Sequence, residues 1–187
     1  MEEPYIQDHT FERINVLSKG EYEGCTFNGC DFAEGELSGS KFIDCTFNGC
    51  NLSLAKLNQT TLRDVKFKDC KMLGLRFDTC DEFGLAFSFE GCQMSHCSFY
   101  KARLKKTVFK DSHLQETDFA EADLTSAVFD HCNLLQAIFD RTILEKADFR
   151  TAYNYSIDPD SNQIKKAKFS IMGVSGLLDK YDIVIER

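Results

Sequence analysis

Tryptophan is absent from the 187 residues, and proline occurs only twice. No run of about 18 apolar residues exists, so no membrane-spanning helix is expected. The start, Met1-Glu2-Glu3-Pro4, lacks the basic opening and apolar stretch of a secretory signal, which predicts a cytoplasmic protein. Cations are too few for a nucleic-acid face: 22 Lys and Arg stand against 30 Asp and Glu, a net charge of −8. There is no Gly-rich phosphate loop, nucleophile elbow or paired-carboxylate motif. The four histidines, His9, His96, His113 and His131, fall in no ligand-spaced cluster. No catalytic residue, metal or cofactor is therefore expected. What the chain does hold is 17 Phe and nine Cys, with 43% apolar residues to build a core.

The apolar residues recur every fifth position. One run is Tyr22, Phe27, Phe32, Leu37, Phe42, Phe47, Leu52, Leu57, Leu62, Phe67, Met72 and Phe77. A second is Met94, Phe99, Leu104, Phe109, Leu114, Phe119, Leu124, Phe129, Leu134, Phe139, Leu144 and Phe149. The runs are out of phase by two residues, which places an insertion near Glu82–Glu90. Five steps on an α-helix overshoot a turn by about 140°, so the stripe would wind round the surface. On a flat strand, odd spacing sends successive members to opposite faces. A constant inward direction requires the backbone to turn once per repeat, which is a β-solenoid.

The hexapeptide Cys25-Thr26-Phe27-Asn28-Gly29-Cys30 returns intact as Cys45–Cys50, so one coil takes twenty residues, or four repeats. Phe99, Phe119 and Phe139 then stack on one side and Phe109, Phe129 and Phe149 on the opposite side, with Leu filling the other two. Two residues before each central position stand small side chains: Ala102, Thr107, Ser112, Thr117, Ala122, Ala127, Ala137, Thr142 and Ala147. All nine cysteines share this inward register: Cys25, Cys30, Cys45, Cys50, Cys70, Cys80, Cys92, Cys97 and Cys132. Stacked pairs such as Cys25 and Cys45 would have Cα atoms ~4.8 Å apart, inside the disulfide range. Their interchange with Ala, Thr and Ser at one position favours packed thiols in a reducing compartment.

Ala122-Asp123-Leu124, Thr117-Asp118-Phe119, Cys132-Asn133-Leu134 and Ala147-Asp148-Phe149 follow the pattern small–Asp/Asn–Leu/Phe–x–x. Over roughly residues 20–150 the chain resembles the pentapeptide repeat proteins. That resemblance implies an all-β fold, a right-handed quadrilateral β-helix. The C-terminal half, followed by a helix and strand, resembles the quinolone-resistance (Qnr- and MfpA-like) and microcin-immunity members. It thereby implies a non-catalytic DNA mimic that binds DNA gyrase or topoisomerase IV, protects it from quinolones or a toxin, and forms a homodimer through its C-terminus.

Three segments are expected: an N-terminal cap over residues 1–20 in which Phe11 and Val16 begin an irregular coil, the repeat over 21–150, and a cap and dimerisation segment over 151–187. The repeat is read as ending at Arg150. Ser170 caps a short helix through Lys180. Val174, Leu177, Leu178 and Tyr181 share a helical face, and Ile183–Ile185 form a final strand. Gly173 and Gly176 each weaken that helix by ~1 kcal/mol relative to Ala. The expected dimer interface is Val174, Leu177, Leu178, Tyr181, Ile183 and Ile185.

The acidic surface expected to meet the partner is Asp111, Glu116, Glu121, Asp130 and Asp140, with Glu34 and Glu36. Two features oppose a uniform DNA-like charge. Several acids, among them Asp31, Asp118, Asp123 and Asp148, occupy the Asp/Asn slot, where corner hydrogen bonding suffices. The twenty-residue offset also builds ladders of alternating sign, such as Lys101/Glu121/Arg141. Six coils span ~30 Å, over which DNA would carry ~18 charges. A net −8 falls well short, so mimicry must be confined to one or two faces. The alternative is a structural or scaffold repeat protein with no topoisomerase partner. A contiguous acidic stripe would favour mimicry, and evenly mixed charge the scaffold.

Overall fold

The computed structural model describes residues 3–186, so Met1, Glu2 and Arg187, the extremes of the two expected caps, lie outside the described residues. The chain winds as a four-sided solenoid. One side is a four-stranded parallel sheet of β1 (Tyr5–Gln7), β3 (Glu21–Glu23), β5 (Lys41–Ile43) and β7 (Thr61–Arg63). A second side is a seven-stranded parallel sheet. It is formed by β2 (Thr10–Glu12), β4 (Thr26–Asn28), β6 (Thr46–Asn48), β8 (Val65–Lys68), β9 (Phe87–Glu90), β10 (Val108–Lys110) and β11 (Val128–Asp130). The remaining two sides are held by single bridges, such as Asp31↔Asn51↔Lys71 and Ser98↔Asp118↔Ile138.

The corner is what lets five residues make one side. The residue two past each centre takes a left-handed backbone, as at Gly29 (φ +57), Gly49 (φ +59), Asp44 (φ 52) and Asp111 (φ 49). Gly suffers no Cβ clash in that region, and Asp tolerates it through local hydrogen bonding. The identical Asn-Gly pairs at Asn28-Gly29 and Asn48-Gly49 therefore mark corners as well as repeats.

The register is twenty residues almost throughout, as in Phe27↔Phe47 and Phe109↔Phe129. It lengthens to twenty-two across the insertion, where Val65 pairs with Phe87 and Arg76 with Ser98. The extra residues bulge out near Asp81–Ala86, leaving Phe83 74% exposed. The core is a filled bore. Phe99, Phe119 and Phe139 stack at 5.4 and 5.3 Å between ring centroids. Phe109, Phe129 and Phe149 stack at 4.9 and 4.7 Å. The two columns meet edge to face, Phe109 against Phe119 at 5.8 Å.

Both ends differ from the expectation. At the start, β1 pairs with β3 and β2 with β4 at an offset of sixteen, so the first coil is shorter than the rest. Phe11 stacks on Phe27 at 4.9 Å, but Val16 is exposed and does not belong to the coil; Ile14 and Leu17 pack against the core instead. At the other end the ladder does not stop at Arg150. Tyr153, Gln163 and Lys168 bridge the preceding coil, and Phe169 stacks on Phe149 at 5.4 Å. The final coil keeps the five-residue phase, but Asn154 and Pro159 occupy two of its central places and interrupt the pattern.

The tail is not an α-helix followed by a strand. Ser170 accepts a hydrogen bond from the Gly173 amide and caps a 3-10 turn over Ile171–Leu177; a second covers Asp179–Tyr181. Ile183–Ile185 pair with no strand among the described residues. The two glycines explain the choice. A Cβ at Gly173 would collide with the Tyr155 hydroxyl, and one at Gly176 with the Tyr155 carbonyl. The segment thus lies close against the last coil, where the Gly176 carbonyl accepts from the Ile157 amide at 2.9 Å.

Candidate interaction surfaces

The acidic residues do not converge. Glu34 and Glu116 stand at corners bounding the Phe32–Leu134 side, and Asp111 at a corner beside β10. Asp130 lies on β11, and Glu36, Glu121 and Asp140 belong to the side lined by Phe99 and Phe119. Most are matched by a cation or imidazole. Glu36 faces Lys56 at 3.6 Å, and Glu121 faces Lys101 at 3.5 Å and Arg141 at 3.2 Å. Asp140 meets Arg141 at 3.1 Å, Asp130 meets His131 at 3.0 Å, and Glu116 meets His96 at 3.4 Å. Glu34 and Asp111 have no ionic neighbour within 4 Å among the described residues. Charge of both signs is distributed round the rod, and exposed pairs of this kind are each worth about 0–1 kcal/mol.

The nine thiols are free; eight are buried, and Cys80, beside the insertion, is half-buried. Cys30, Cys50, Cys70 and Cys92 follow one another in a column, with Ser112 and Cys132 beyond. Each thiol of this column donates to carbonyl oxygen, as Cys50 does to Phe27 at 3.2 Å and Cys70 to Phe47 at 3.3 Å. Burial pushes the Cys45, Cys97 and Cys132 thiols up to about 12, which suppresses the nucleophilic thiolate. No His/Cys/Asp/Glu cluster suited to a metal occurs among the described residues.

Seven of the sixteen exposed large apolar side chains among the described residues lie in the C-terminal segment. Ile171 (91%), Val184 (88%) and Met172 (74%) are strongly exposed, flanked by Val174, Tyr181, Ile183 and Ile185. The sequence-predicted face is divided by the 3-10 geometry. Val174 and Tyr181 point out, whereas Leu177 packs against the core and Leu178 is half-buried. Met172 was not anticipated, because an α-helical spacing puts it off the Val174–Tyr181 stripe; Ile171, three residues before Val174, continues that stripe and was missed. The segment is pinned by Lys180, which contacts Asp158 at 2.6 Å and also Asp160. The ammonium holds the Asp158 carboxyl below its ordinary range. No described helix is long and apolar enough to cross a membrane.

A four-sided parallel solenoid with stacked Phe and Leu inside and a left-handed corner every fifth residue defines a class of repeat protein without a central cavity. The chain belongs to the pentapeptide repeat family: the family model described as a pentapeptide repeat region matches residues 21–88 and 85–153. Its fold is similar to that of full-length QnrB1, described as a plasmid-mediated fluoroquinolone resistance protein. The likeness has 17% identity and a TM-score of 0.50, and covers 95% of this chain and 99% of the other. HetL from the cyanobacterium Nostoc sp. strain PCC 7120, a pentapeptide repeat protein involved in heterocyst differentiation regulation, matches at 14% identity and a TM-score of 0.36, covering 88% of each chain. No curated protein sequence matches this chain.

Proposed function

We propose that the chain is a non-catalytic protein-binding rod that pairs with a second copy through its C-terminal end. The observation that carries this reading is the exposed apolar surface of Ile171, Met172, Val174 and Val184 on a segment whose inner side is already used against Tyr155. Monomeric soluble proteins seldom leave so many apolar side chains open on one short segment, and a two-fold contact would cover them while closing the end of the solenoid. A bore filled by Phe and Leu offers no substrate cavity, which supports a binding role over catalysis. The buried, unpaired thiols suit a reducing compartment, hence the cytoplasm. Mixed charge on the sides supports a scaffold-type interaction protein. Light scattering of the wild type against Met172→Asp with Val184→Asp tests the pairing. A dimer for the first and a folded monomer for the second is the expected result; a wild-type monomer at ~50 µM overturns it.

A second reading is protection of a type II topoisomerase, with the rod imitating DNA. It is favoured by the likeness to QnrB1 along nearly the whole of both chains. A gyrase supercoiling assay with and without ciprofloxacin separates the two. Restored supercoiling supports protection; no binding and no rescue at micromolar protein leaves the scaffold reading.

A further inference from the structure

Along the edge where β1, β3, β5 and β7 turn into β2, β4, β6 and β8, each regular coil contributes one peptide group to a hydrogen-bonded ladder. Its carbonyl accepts from the coil before, and its amide donates to the coil after. The rungs run from Asp8 to Glu23, Gly24 to Ile43 and Asp44 to Arg63, and again from Lys106 to Thr125, Ser126 to Glu145 and Lys146 to Lys165, all between 2.8 and 3.0 Å. Between these two stretches the ladder skips one coil. The Asp64 amide and the Lys105 carbonyl, which belong to the same column, have no hydrogen-bond partner among the described residues. The insertion is the cause. The Ala86 amide donates to the Leu62 carbonyl and the Ala86 carbonyl accepts from the Val65 amide, each at 3.0 Å, so the chain runs directly into β9 at Phe87 and cuts the corner.

The shortcut leaves a notch of about 250 Å³, with Leu85, Ala86 and Phe87 as its floor, Asp64 and Lys66 on one wall and Lys105 and Lys106 on the other. The walls stand two coil steps, or ~9.6 Å, apart, which is the room one amide takes when hydrogen-bonded on both sides. An amide is also the group the walls select. The Asp64 N–H needs an acceptor and the Lys105 C=O needs a donor, and a planar amide carries one of each on opposite edges. A carboxylate has no hydrogen to give Lys105. Lys66 and Lys106 are exposed and have no carboxylate within 4 Å among the described residues, whereas Lys105 faces Asp123 at 3.1 Å. The two free ammonium groups outweigh the single carboxylate of Asp64 and favour an anion at the mouth of the notch. We propose that the notch binds a primary carboxamide carried on the same small molecule or side-chain end as a carboxylate. The amide completes the ladder between Asp64 and Lys105, and the carboxylate meets Lys66 and Lys106.

The test is a titration of the isotope-labelled full chain, followed by NMR, with glutaramate, glutarate and glutaramide as probes. Glutaramate carries both groups, glutarate only carboxylates and glutaramide only carboxamides. Glutaramate shifts the Asp64 amide proton downfield and saturates at millimolar concentration, while the Gly24 and Lys146 amides, whose rungs are already made, stay in place. Glutarate, lacking a donor for Lys105, binds at least about tenfold more weakly. Glutaramide, lacking the charge, binds at least about threefold more weakly. Lys66→Gln with Lys106→Gln brings glutaramate down to the level of glutaramide and leaves glutaramide unchanged. Both lysines are exposed, so the double variant keeps the fold, which circular dichroism checks. Absence of a saturable Asp64 shift up to ~50 mM glutaramate overturns the proposal. So does glutarate or glutaramide binding as tightly as glutaramate, or a folded double variant that binds glutaramate as tightly as the wild type.

Discussion

Phe119 sits between Phe99 and Phe139 at 5.4 and 5.3 Å and receives the edges of Phe109 and Phe129, each at 5.8 Å. Its side chain is fully buried. Phe119→Ala deletes the ring without offering the backbone any way to close the gap, because the coil spacing is fixed by hydrogen bonds on both sides, Phe119 donating to Ile138 and Asp118 donating to Cys97. A buried Phe covers about 150–250 Å², which at ~25 cal/mol per Å² sets a transfer term of about 4–6 kcal/mol as an upper bound. The part not shared with Ala, together with the cavity left behind, gives an expected loss of ~3–5 kcal/mol. Urea unfolding followed by circular dichroism reads this as a lower midpoint with an unchanged slope. Phe83→Ala, at the exposed bulge, serves as the comparison and should change stability by less than ~0.5 kcal/mol. A loss below ~1 kcal/mol for Phe119→Ala would refute the stacked-coil account of the core.

Thiol titration without reductant should find at most Cys80 reacting readily in the native protein and nine groups after denaturation; a clearly smaller denatured count would mean bridged thiols. Raising pH should destabilise the fold, because the buried thiols ionise at higher pH when folded than when unfolded. The stability they contribute is complete below the unfolded value near pH 9 and falls by ~1.4 kcal/mol per pH unit per thiol above it, until the folded value of about 12 is reached. Cys45→Ala with Cys132→Ala should flatten that alkaline limb. Acid should release the tail: Asp158 is held ionised by Lys180, so its contribution is present above the ordinary carboxylate range and lost as pH falls through its lower folded value. Limited proteolysis after Lys180 should therefore accelerate on acidification and in Asp158→Asn at neutral pH, and an unchanged rate in both would contradict the clamp.

The repeat was legible because one physical rule is applied without exception where the coil is regular. Every fifth residue must fill the bore, so Phe109, Phe119 and Phe129 show it in the bare sequence. The ends obey the same rule with different residues. Asn154 and Pro159 stand at central places, and the segment looks irregular, yet Ala167-Lys168-Phe169 returns in phase with Phe149; that return was the missed signal. The tail was misjudged because Val174, Leu177, Leu178 and Tyr181 suit an α-helix by spacing alone. The close approach of Gly173 and Gly176 to Tyr155 is a long-range contact that spacing does not encode. The acidic surface was legible as a list of residues but not as a surface. Residues five apart turn a corner, so neighbours in sequence such as Asp111, Glu116 and Glu121 stand at three different corners.

Small-angle scattering of the full chain at about 20 µM tests the proposed pairing most directly. From Phe11 to Phe169 the rod spans eight coil steps, or ~38 Å. End-to-end pairing through Ile171, Met172, Val174 and Val184 predicts a particle of twice the monomer mass, roughly 80–90 Å long, with the cross-section of a single solenoid. A particle of monomer mass and ~40–50 Å length would contradict it.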